Sequence, residues 1–440
     1  MFELSALGVE WGTFLLFGTM IVLLILGKPL AYLTGFVAMF FAIGWFGPNV
    51  LPLLTSRIYS FVGEYTLIAV PMFVLMASLL DKTNIAKDLY NAMQFFGGRI
   101  KGGVAVQTLV VAIFLAAMSG IIGGETVLLG MLALPQMLRL GYNKNLAIGT
   151  VCAGGSLGTM VPPSIVLIIY GLTANVSIGD LFTGAVMPAL MLASFYLAYI
   201  LIRCHLQPGL APSPGADELD DSRSLGKVIL DITAPGIIIF FVLGSIYGGI
   251  ASVTEAASVG VTAVLLLAAL RRELSFSVLQ GSLVQTMRTC GMIIWIGISA
   301  SALIGVYNLM GGNRFVQNMI LGLDVSPLVI ILLMMGILIF LGMFMDWIGI
   351  ALLTMPIFVP IVTGLGYDPV WFGVVFCMNM QVSFLSPPFG PAAFYLKSVA
   401  PPEISLVDIF ASVWPFILMQ LLALSLVVLQ PQIALWLVNL

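Results

Sequence analysis

Glycine, proline and hydroxyl residues interrupt two apolar stretches of this chain, and such interruptions expose backbone oxygens that can bind a cation. In the first stretch, Gly123 and Gly124 break one apolar run, and Pro162-Pro163 breaks the next. Proline lacks the N–H that would bond to the carbonyl four residues earlier, so a break leaves carbonyls without helical partners. In lipid, such carbonyls are tolerated only inside protein or beside a wet cavity. The pattern therefore predicts a cage of hard oxygens suited to Na⁺.

Two sodium sites and a substrate site are predicted from these breaks. The first sodium site comprises Ser119, Gly120, Gly123, Gly158, Thr159 and Pro162. The second comprises Gly342, Asp346, Ser383, Ser386 and Gly390. Because the N-terminus of a half-helix carries positive partial charge, it favours an anionic substrate. The predicted substrate-binding residues are Glu125, Pro163, Ser164, Asn379 and Pro388. Na⁺ is the only metal expected, and no cofactor is expected.

The breaks occur twice because the chain contains the same stretch twice. Residues 119–170 align with residues 344–395 at a constant offset of 225, without a gap. Ten positions are identical, including the Leu-Gly-Tyr turn at 140–142 and 365–367 and the Pro-Pro pair at 162–163 and 387–388. A repeat in the two halves of an apolar chain, broken in both copies by Gly and Pro, points to a transporter binding site.

Composition indicates that the solvent for most of this chain is lipid. Hydrophobic residues make up 61% and charged residues 8% of the 440 positions, and the mean hydropathy is +1.15. A soluble chain of this length could not bury so much apolar surface. A net charge of −3 does not suggest a nucleic-acid partner. The four cysteines lack CxxC spacing, which argues against a zinc site or a disulfide framework.

The apolar runs predict about ten transmembrane helices and two re-entrant hairpins. The helices are expected at residues 11–26, 29–46, 65–80, 146–173, 184–200, 229–247, 254–270, 290–309, 370–397 and from 409 onward. Those at 146–173 and 370–397 are broken. The hairpins are expected at 104–140, with a tip at 119–124, and at 326–364, with a break at 342–349. More polar arms are expected at 48–64, 81–103, 271–289 and 308–324.

Charge orients this path. Fourteen of the sixteen basic residues fall on one predicted side, and only Arg57 and Arg314 fall on the other. Positive charge marks the cytoplasmic side, so the N-terminus is expected to be periplasmic. The same predicted path gives the two copies opposite orientations in the membrane. Residues 1–202 are therefore predicted to form one inverted repeat and residues 228–440 the second, joined by a cytoplasmic linker at 203–227.

The motifs themselves resemble the large membrane subunit of tripartite ATP-independent periplasmic (TRAP) transporters. They are SGIIGGETVLLG, LALPQMLRLGYNKNLAIG, GGSLGTMVPPSIVLIIYG, SVTEAASVG, FLGMFMDWIGIALLTMPIFVPI and SFLSPPFGPAAFYL. The resemblance covers essentially the whole chain. It implies the elevator type of the ion-transporter superfamily and sodium-driven uptake of an organic acid across the bacterial cytoplasmic membrane. It also implies a small four-helix membrane subunit (Q type) and a periplasmic substrate-binding protein as partners.

This sequence departs from the family pattern at a few positions, and other functions remain to be weighed against transport. Ile121, Ile122 and Glu125 stand where many members carry small residues and serines, and Ser386 stands where threonine often precedes the proline pair. The nearest alternative is a divalent-anion:sodium symporter of related architecture that works alone. A channel would not need paired re-entrant tips. An enzyme is not expected, because the only histidine, His205, lies in the linker.

Overall fold

The computed structural model describes residues 4–97, 100–120, 123–212, 225–322 and 324–440. Within these ranges the regular elements are all helices, which confirms the predicted all-α class. Ile121, Ile122 and residues 213–224 of the predicted linker lie outside the described ranges, as does Arg99, one of the fourteen basic residues counted above.

The described residues of the first half form ten α-helices. They are α1 (Gly8–Ile25), α2 (Leu30–Phe46), α3 (Leu51–Val62), α4 (Ala69–Lys82), α5 (Ile85–Gly97), α6 (Gly103–Ser119), α7 (Gly124–Arg139), α8 (Lys144–Ser156), α9 (Ile165–Ala174) and α10 (Ile178–Leu206). Short 3₁₀ turns precede α1, α3 and α4, follow α10, and continue α8 at Leu157–Thr159.

The second half supplies the remaining helices of the described chain. They are α11 (Leu225–Tyr247), α12 (Val253–Leu270), α13 (Phe276–Leu309), α14 (Gly312–Leu321), α15 (Pro327–Gly342), α16 (Trp347–Gly364), α17 (Pro369–Leu385), α18 (Pro391–Lys397), α19 (Leu406–Leu429) and α20 (Gln432–Leu435).

The offset of 225 relates helices well beyond the stretch that shows it in sequence. It carries the start of α8 at Lys144 onto the start of α17 at Pro369, and the start of α3 at Leu51 onto the start of α13 at Phe276. It also places α2 on α12, α5 on α14 and α6 on α15 within two residues, and it makes α1 overlap most of α11. The duplication therefore extends over nearly the whole chain.

The repeated Leu-Gly-Tyr turn ends one helix and begins the next. Gly141 and Gly366 have φ of 77° and 83°, a left-handed conformation that glycine adopts without steric cost. In each copy the tyrosine N–H donates to a carbonyl five residues earlier, as in a Schellman motif. The next residue caps the following helix: the Asn143 side chain accepts from two N–H groups of α8, and the Asp368 side chain does the same for α17. The turn is conserved between the copies because it fixes both helix ends.

Three predicted boundaries were wrong. The arm at 271–289 and the helix at 290–309 are largely one helix, the 34-residue α13, which Ser275 caps. The break expected at 342–349 ends at Asp346, because the Asp346 side chain caps α16 and helix resumes at Trp347. The helix expected from 184 begins at Ile178, where Ser177 caps it. In each case a capping side chain set a boundary that hydropathy had placed elsewhere.

Eight described helices are long and apolar enough to cross a membrane, and the bent pair of α2 with the helix at Pro48–Val62 would make nine. The two segments of that pair meet at 119°. Among the eight is α16, whereas the broken pairs α8–α9 and α17–α18 are made of shorter pieces. The chain is thus a multi-pass membrane protein, and ten crossings with two re-entrant hairpins stay a prediction.

The two copies exchange contacts across their boundary. Helix α7 packs against α18, and its counterpart α16 packs against α9, the counterpart of α18. A reciprocal contact of this kind is what a two-fold axis between equivalent units produces. The inverted relation proposed from charge is consistent with such an axis.

One guanidinium joins three helices near the predicted cytoplasmic side. Arg271, at the end of α12, lies 2.7 Å from a carboxylate oxygen of Asp88 on α5 and 2.9 Å from one of Asp231 on α11. Burial raises the pKa of Asp88 and the neighbouring Asp231 raises it further, while Arg271 opposes both. The arm α5 is therefore fixed to α11 and α12 through a shared cation.

Opposite orientations of the two copies can be tested by labelling. Single cysteines at Gln207 and Asn318, both exposed, should react with a membrane-impermeant maleimide from opposite faces. In intact cells Asn318→Cys should label, and Gln207→Cys should label only after permeabilisation. Background should be low because the four native cysteines are buried. Labelling of both positions in intact cells would contradict the inverted arrangement.

Candidate ion and substrate site

The first hairpin tip is bonded to the first helix break by backbone groups. Helix α6 ends at Gly120, and the Ile165 N–H at the start of α9 donates to the Gly120 carbonyl at 3.3 Å. A side chain at Gly120 would run into the carbonyl of Pro163. Pro162-Pro163 is a cis peptide, as is Pro387-Pro388 in the second copy. The tip and the break thus lie in direct contact.

Glu125 occupies the centre of this contact. Its side chain is 3% exposed, and its Oε1 accepts a short hydrogen bond from the Ser119 hydroxyl. Gly158 lies against the same carboxyl group: a Cβ there would lie 2.6 Å from Oε1 and 2.8 Å from Oε2. Oε2 is buried and has no hydrogen-bond partner among the described residues. An ionised carboxylate buried in this way is very costly unless a cation accompanies it.

The structure therefore groups Glu125 with residues predicted for sodium. The sequence had placed it among substrate-binding residues, but its neighbours are Ser119 and Gly158. The unpartnered Oε2 is suited to bind a small cation, and the absence of a side chain at Gly158 lets the carboxylate pack against the break. Both roles for Glu125 stay predictions.

Asp81 is a second carboxylate that sequence reasoning missed. A Cβ on Gly124 would lie 2.8 Å from Asp81 Oδ2, so this carboxylate rests on the first turn of α7, next to Glu125. The N-terminus of a helix carries positive partial charge, which favours an anion there. The available signal was an acidic residue closing the apolar run of α4, but sequence alone does not place the end of α4 beside α7.

Other predicted members of the first site use their oxygens internally. The Thr159 hydroxyl donates to the Ser156 carbonyl at 2.9 Å. The Thr159 carbonyl accepts from the Ser164 hydroxyl and from Cys377 Sγ, so both of its lone pairs are engaged. Thr159 and Ser164 hold the break in shape and link it to α17 of the other copy.

The second tip is built differently. Asp346 caps α16, with Oδ2 accepting from the Ile348 N–H at 3.3 Å. Gly342, at the end of α15, lies directly against the Ser383 hydroxyl on α17. No described hydrogen bond joins Asp346 to Ser383 or to Ser386. The residues predicted for the second site surround one tip, but the carboxylate that distinguishes it acts here as a helix cap.

The break after α17 also fixes its own hydroxyl and carbonyl. The Ser386 hydroxyl donates to the Val382 carbonyl at 2.7 Å, and the Ser386 carbonyl accepts from Gly390 N–H at 2.8 Å. Pro388 is exposed. Asn379 is fully buried: its Nδ2 donates to the Met335 carbonyl at 3.1 Å, and its Oδ1 has no partner among the described residues. Asn379 therefore offers a free acceptor between α15 and α17.

Tyr395 is the second residue that the sequence did not assign to the site. Its ring lies 2.9 Å from where a Cβ of Gly123 would be, and it is within electrostatic range of Asp346. Its repeat partner Tyr170 is buried, with its hydroxyl bonded to the Pro369 carbonyl at 2.6 Å. Tyr395 is instead 39% exposed, and its hydroxyl is unpartnered among the described residues. It is thus placed between the two tips.

Glu255, a further acidic residue in an apolar context, has a structural explanation. Its carboxylate accepts from the Ser252 N–H at 2.7 Å, and its own N–H donates to the Ser252 hydroxyl. This reciprocal capping box starts α12. The SVTEAASVG motif therefore begins a helix.

Comparison with known proteins gives the chain a family. The family model described as "Tripartite ATP-independent periplasmic transporter, DctM component" matches residues 17–433. The ectoine TRAP transporter large permease protein TeaC of Halomonas elongata is 30% identical over 97% of this chain and 98% of its own length. The C4-dicarboxylate TRAP transporter large permease protein DctM of Vibrio cholerae is 26% identical over 96% of each chain.

A solved structure supports the architecture. The YdaH transporter of Alcanivorax borkumensis aligns with a TM-score of 0.62 over 89% of both chains. Since only 15% of aligned residues are identical, this similarity concerns the fold alone.

Gly158 can be used to test the first ion site. In Gly158→Ala the new methyl group would displace the Glu125 carboxylate, which is the end of a flexible side chain, so the protein should still fold. We expect at least about a ten-fold loss of sodium affinity, worth about 1.4 kcal/mol. The measurement is the sodium-dependent rise in Tm of the purified protein. Gly336→Ala, where a Cβ meets nothing within 4 Å, is the matched control. An unchanged sodium response in Gly158→Ala would remove Glu125 from the site.

Asp346 can be tested by separating its charge from its capping role. Asn caps helices as well as Asp does, whereas Ala costs about 1 kcal/mol of stability. We expect Asp346→Asn to keep the sodium-free Tm and to lose much of the sodium-dependent rise. Asp346→Ala should lower both. If Asp346→Asn retains the full sodium response, the carboxylate is only a cap.

Proposed function

The chain belongs to the family of DctM components of tripartite ATP-independent periplasmic transporters, and we propose that it is the large membrane subunit of a sodium-driven importer of a small organic acid. The observation that carries the proposal is the buried Glu125 carboxylate at the first hairpin tip, with Oε2 unpartnered among the described residues. A transport cycle driven by sodium needs a site that binds the cation, and a buried carboxylate favours such binding.

The ion binds where tip and break meet. Ser119 and Glu125 would hold Na⁺ at the first site, where the lack of a side chain at Gly158 lets the Glu125 carboxylate pack against the break. Na⁺ supplies the positive charge that the buried carboxylate lacks. In the second copy the predicted ligands are Gly342, Asp346, Ser383, Ser386 and Gly390, arranged around the other tip. With one site in each copy, Na⁺ would bind at both tips.

The substrate lies between the tips. Tyr395 is exposed there, and the free oxygen of Asn379 lies behind the second tip. The two relatives are named for C4-dicarboxylate and ectoine, compounds that carry carboxylate groups. A small carboxylate substrate is accordingly proposed for this chain. Pro163, Ser164 and Pro388 line the breaks on either side.

Movement is proposed to be of the elevator type. Buried side chains of α1, α2, α3 and the outer end of α13 form a hydrophobic cluster of their own, which includes Leu16, Phe41, Leu54 and Val306. A separate larger cluster contains the helices of both tips and both breaks. With two separate apolar cores in one chain, one core can act as a static frame while the other moves relative to it. Relative motion between them would carry both tips together.

The partners are proposed from the family's tripartite description. We expect a small four-helix membrane subunit and a periplasmic protein that delivers the substrate, in the cytoplasmic membrane of a bacterium. The N-terminus is proposed to be periplasmic, on the charge argument given above.

Uptake into proteoliposomes tests the function. Radiolabelled ectoine and succinate should enter only when the chain, its small subunit and its binding protein are all present with an inward sodium gradient. Replacing sodium by potassium should abolish uptake. Robust sodium-dependent uptake by the chain alone would favour a stand-alone symporter, and uptake unaffected by sodium would contradict the coupling ion.

A further inference from the structure

A cavity of about 300 Å³ lies between the two apolar cores, and it reaches the first half of α16. One wall is formed by α3 with the turn that follows it and by α13, and the other by α9 and α16. Its lining residues include the polar side chains of Arg57, Ser60, Glu64, Thr173, Ser301 and Asn308. The lining residues of α3, α9 and α13 lie near the predicted periplasmic ends of those segments, and Leu352 and Pro356 of α16 lie between the second tip and the predicted periplasmic end of that helix. The cavity is therefore expected to face the side from which an imported solute arrives.

Arg57 and Glu64 bring opposite charges to this cavity. The stem of Arg57 packs on α13, since a Cβ at Gly305 would lie 3.3 Å from Arg57 Cγ. Both Arg57 and Glu64 are exposed, and neither forms a salt bridge with any described residue. Because the guanidinium and the carboxylate line the same cavity without contacting each other, both are available to bind a ligand. The cavity volume is at the lower end of the range of small-molecule sites.

Arg57 is also one of only two basic residues in the sequence that are predicted to lie on the periplasmic side of the membrane. Fourteen of the sixteen lie on the cytoplasmic side, and the other exception, Arg314, is on α14 and does not line the cavity. Of these two arginines, Arg57 is the one that an anion approaching from outside would meet in this cavity. Arginine binds carboxylates through two parallel hydrogen bonds, which gives such a contact direction as well as energy.

We propose that this cavity is an outer-face binding site for a small zwitterion, whose carboxylate contacts Arg57 and whose cationic group contacts Glu64. A dianion would meet Glu64 with a like charge, whereas a zwitterion matches both groups. The identification of this ligand with the transported solute rests on the proposed function. The site would hold the solute at the boundary between the two cores before it reaches the tips.

The test uses the full-length purified chain in nanodiscs of phosphatidylcholine, with ectoine as the zwitterion and succinate as the dianion. Ser301→Cys places a reporter thiol in the cavity, and the native cysteines are buried. Ectoine should slow modification of this thiol by a charged methanethiosulfonate reagent. Arg57→Gln should weaken protection at least ten-fold, while the matched control Arg314→Gln should leave it unchanged. Glu64→Gln should weaken protection by ectoine and improve protection by succinate.

Several outcomes would overturn the proposal. They are an absence of protection, equal effects of Arg57→Gln and Arg314→Gln, and an unchanged preference in Glu64→Gln. If phosphatidylglycerol in the nanodiscs protects the thiol through Arg57 and ectoine does not, the cavity binds a lipid headgroup. The uptake assay separates this site from the proposed function. Sodium-driven uptake with no protection by ectoine would reject only the cavity, and protection without sodium-driven uptake would reject only the function.

Discussion

The structure depends on the requirement that every backbone polar group in lipid find a partner within the protein. An unbroken helix meets this requirement by itself, but a break does not. Here the carbonyl at the end of α6 accepts a bond from the start of α9, and the carbonyl of Thr159 takes two donors from different elements. Each break is therefore possible only because another break or helix lies against it. The contact between tip and break is therefore required for folding, and it also forms the proposed ion site.

The same requirement explains why the copies interlock. Helices α7 and α16 each pack on the second part of the other copy's broken helix. Gln381 of α17 donates across the copies to the Ser156 carbonyl, where α8 gives way to a 3₁₀ turn. A single copy would leave such groups facing lipid. Duplication thus supplies the partners that each half needs.

Local signals in the sequence were sufficient for the class, the Leu-Gly-Tyr turns and the two Pro-Pro interruptions, but the helix starts capped by Ser177, Ser275 and Asp346 were missed. The Leu-Gly-Tyr turns could be predicted because the glycine and the capping side chain affect only backbone groups within five residues along the chain. Polarity in the first turns of α13 was misleading, since a helix that continues into water carries polar residues without ending. The positions of Asp81 and Tyr395 could not be inferred, because they result from how α4 and α18 pack against tips distant in sequence. The contact of Glu125 with Ser119 needed the tip to fold back on itself, which hydropathy does not report.

One difference between the copies sets their mechanical character. The 34 residues of α13 span about 51 Å at 1.5 Å per residue, well beyond a hydrocarbon core of about 30 Å. The equivalent segment of the first copy is divided into α3 and α4, with Gly63, Glu64 and a 3₁₀ turn at Tyr65–Ile68 between them. One half thus has a stiff rod that reaches from one aqueous face toward the other, and the other half has a joint at the same position. Bending of the frame will concentrate at that joint, so two halves of common origin differ in compliance.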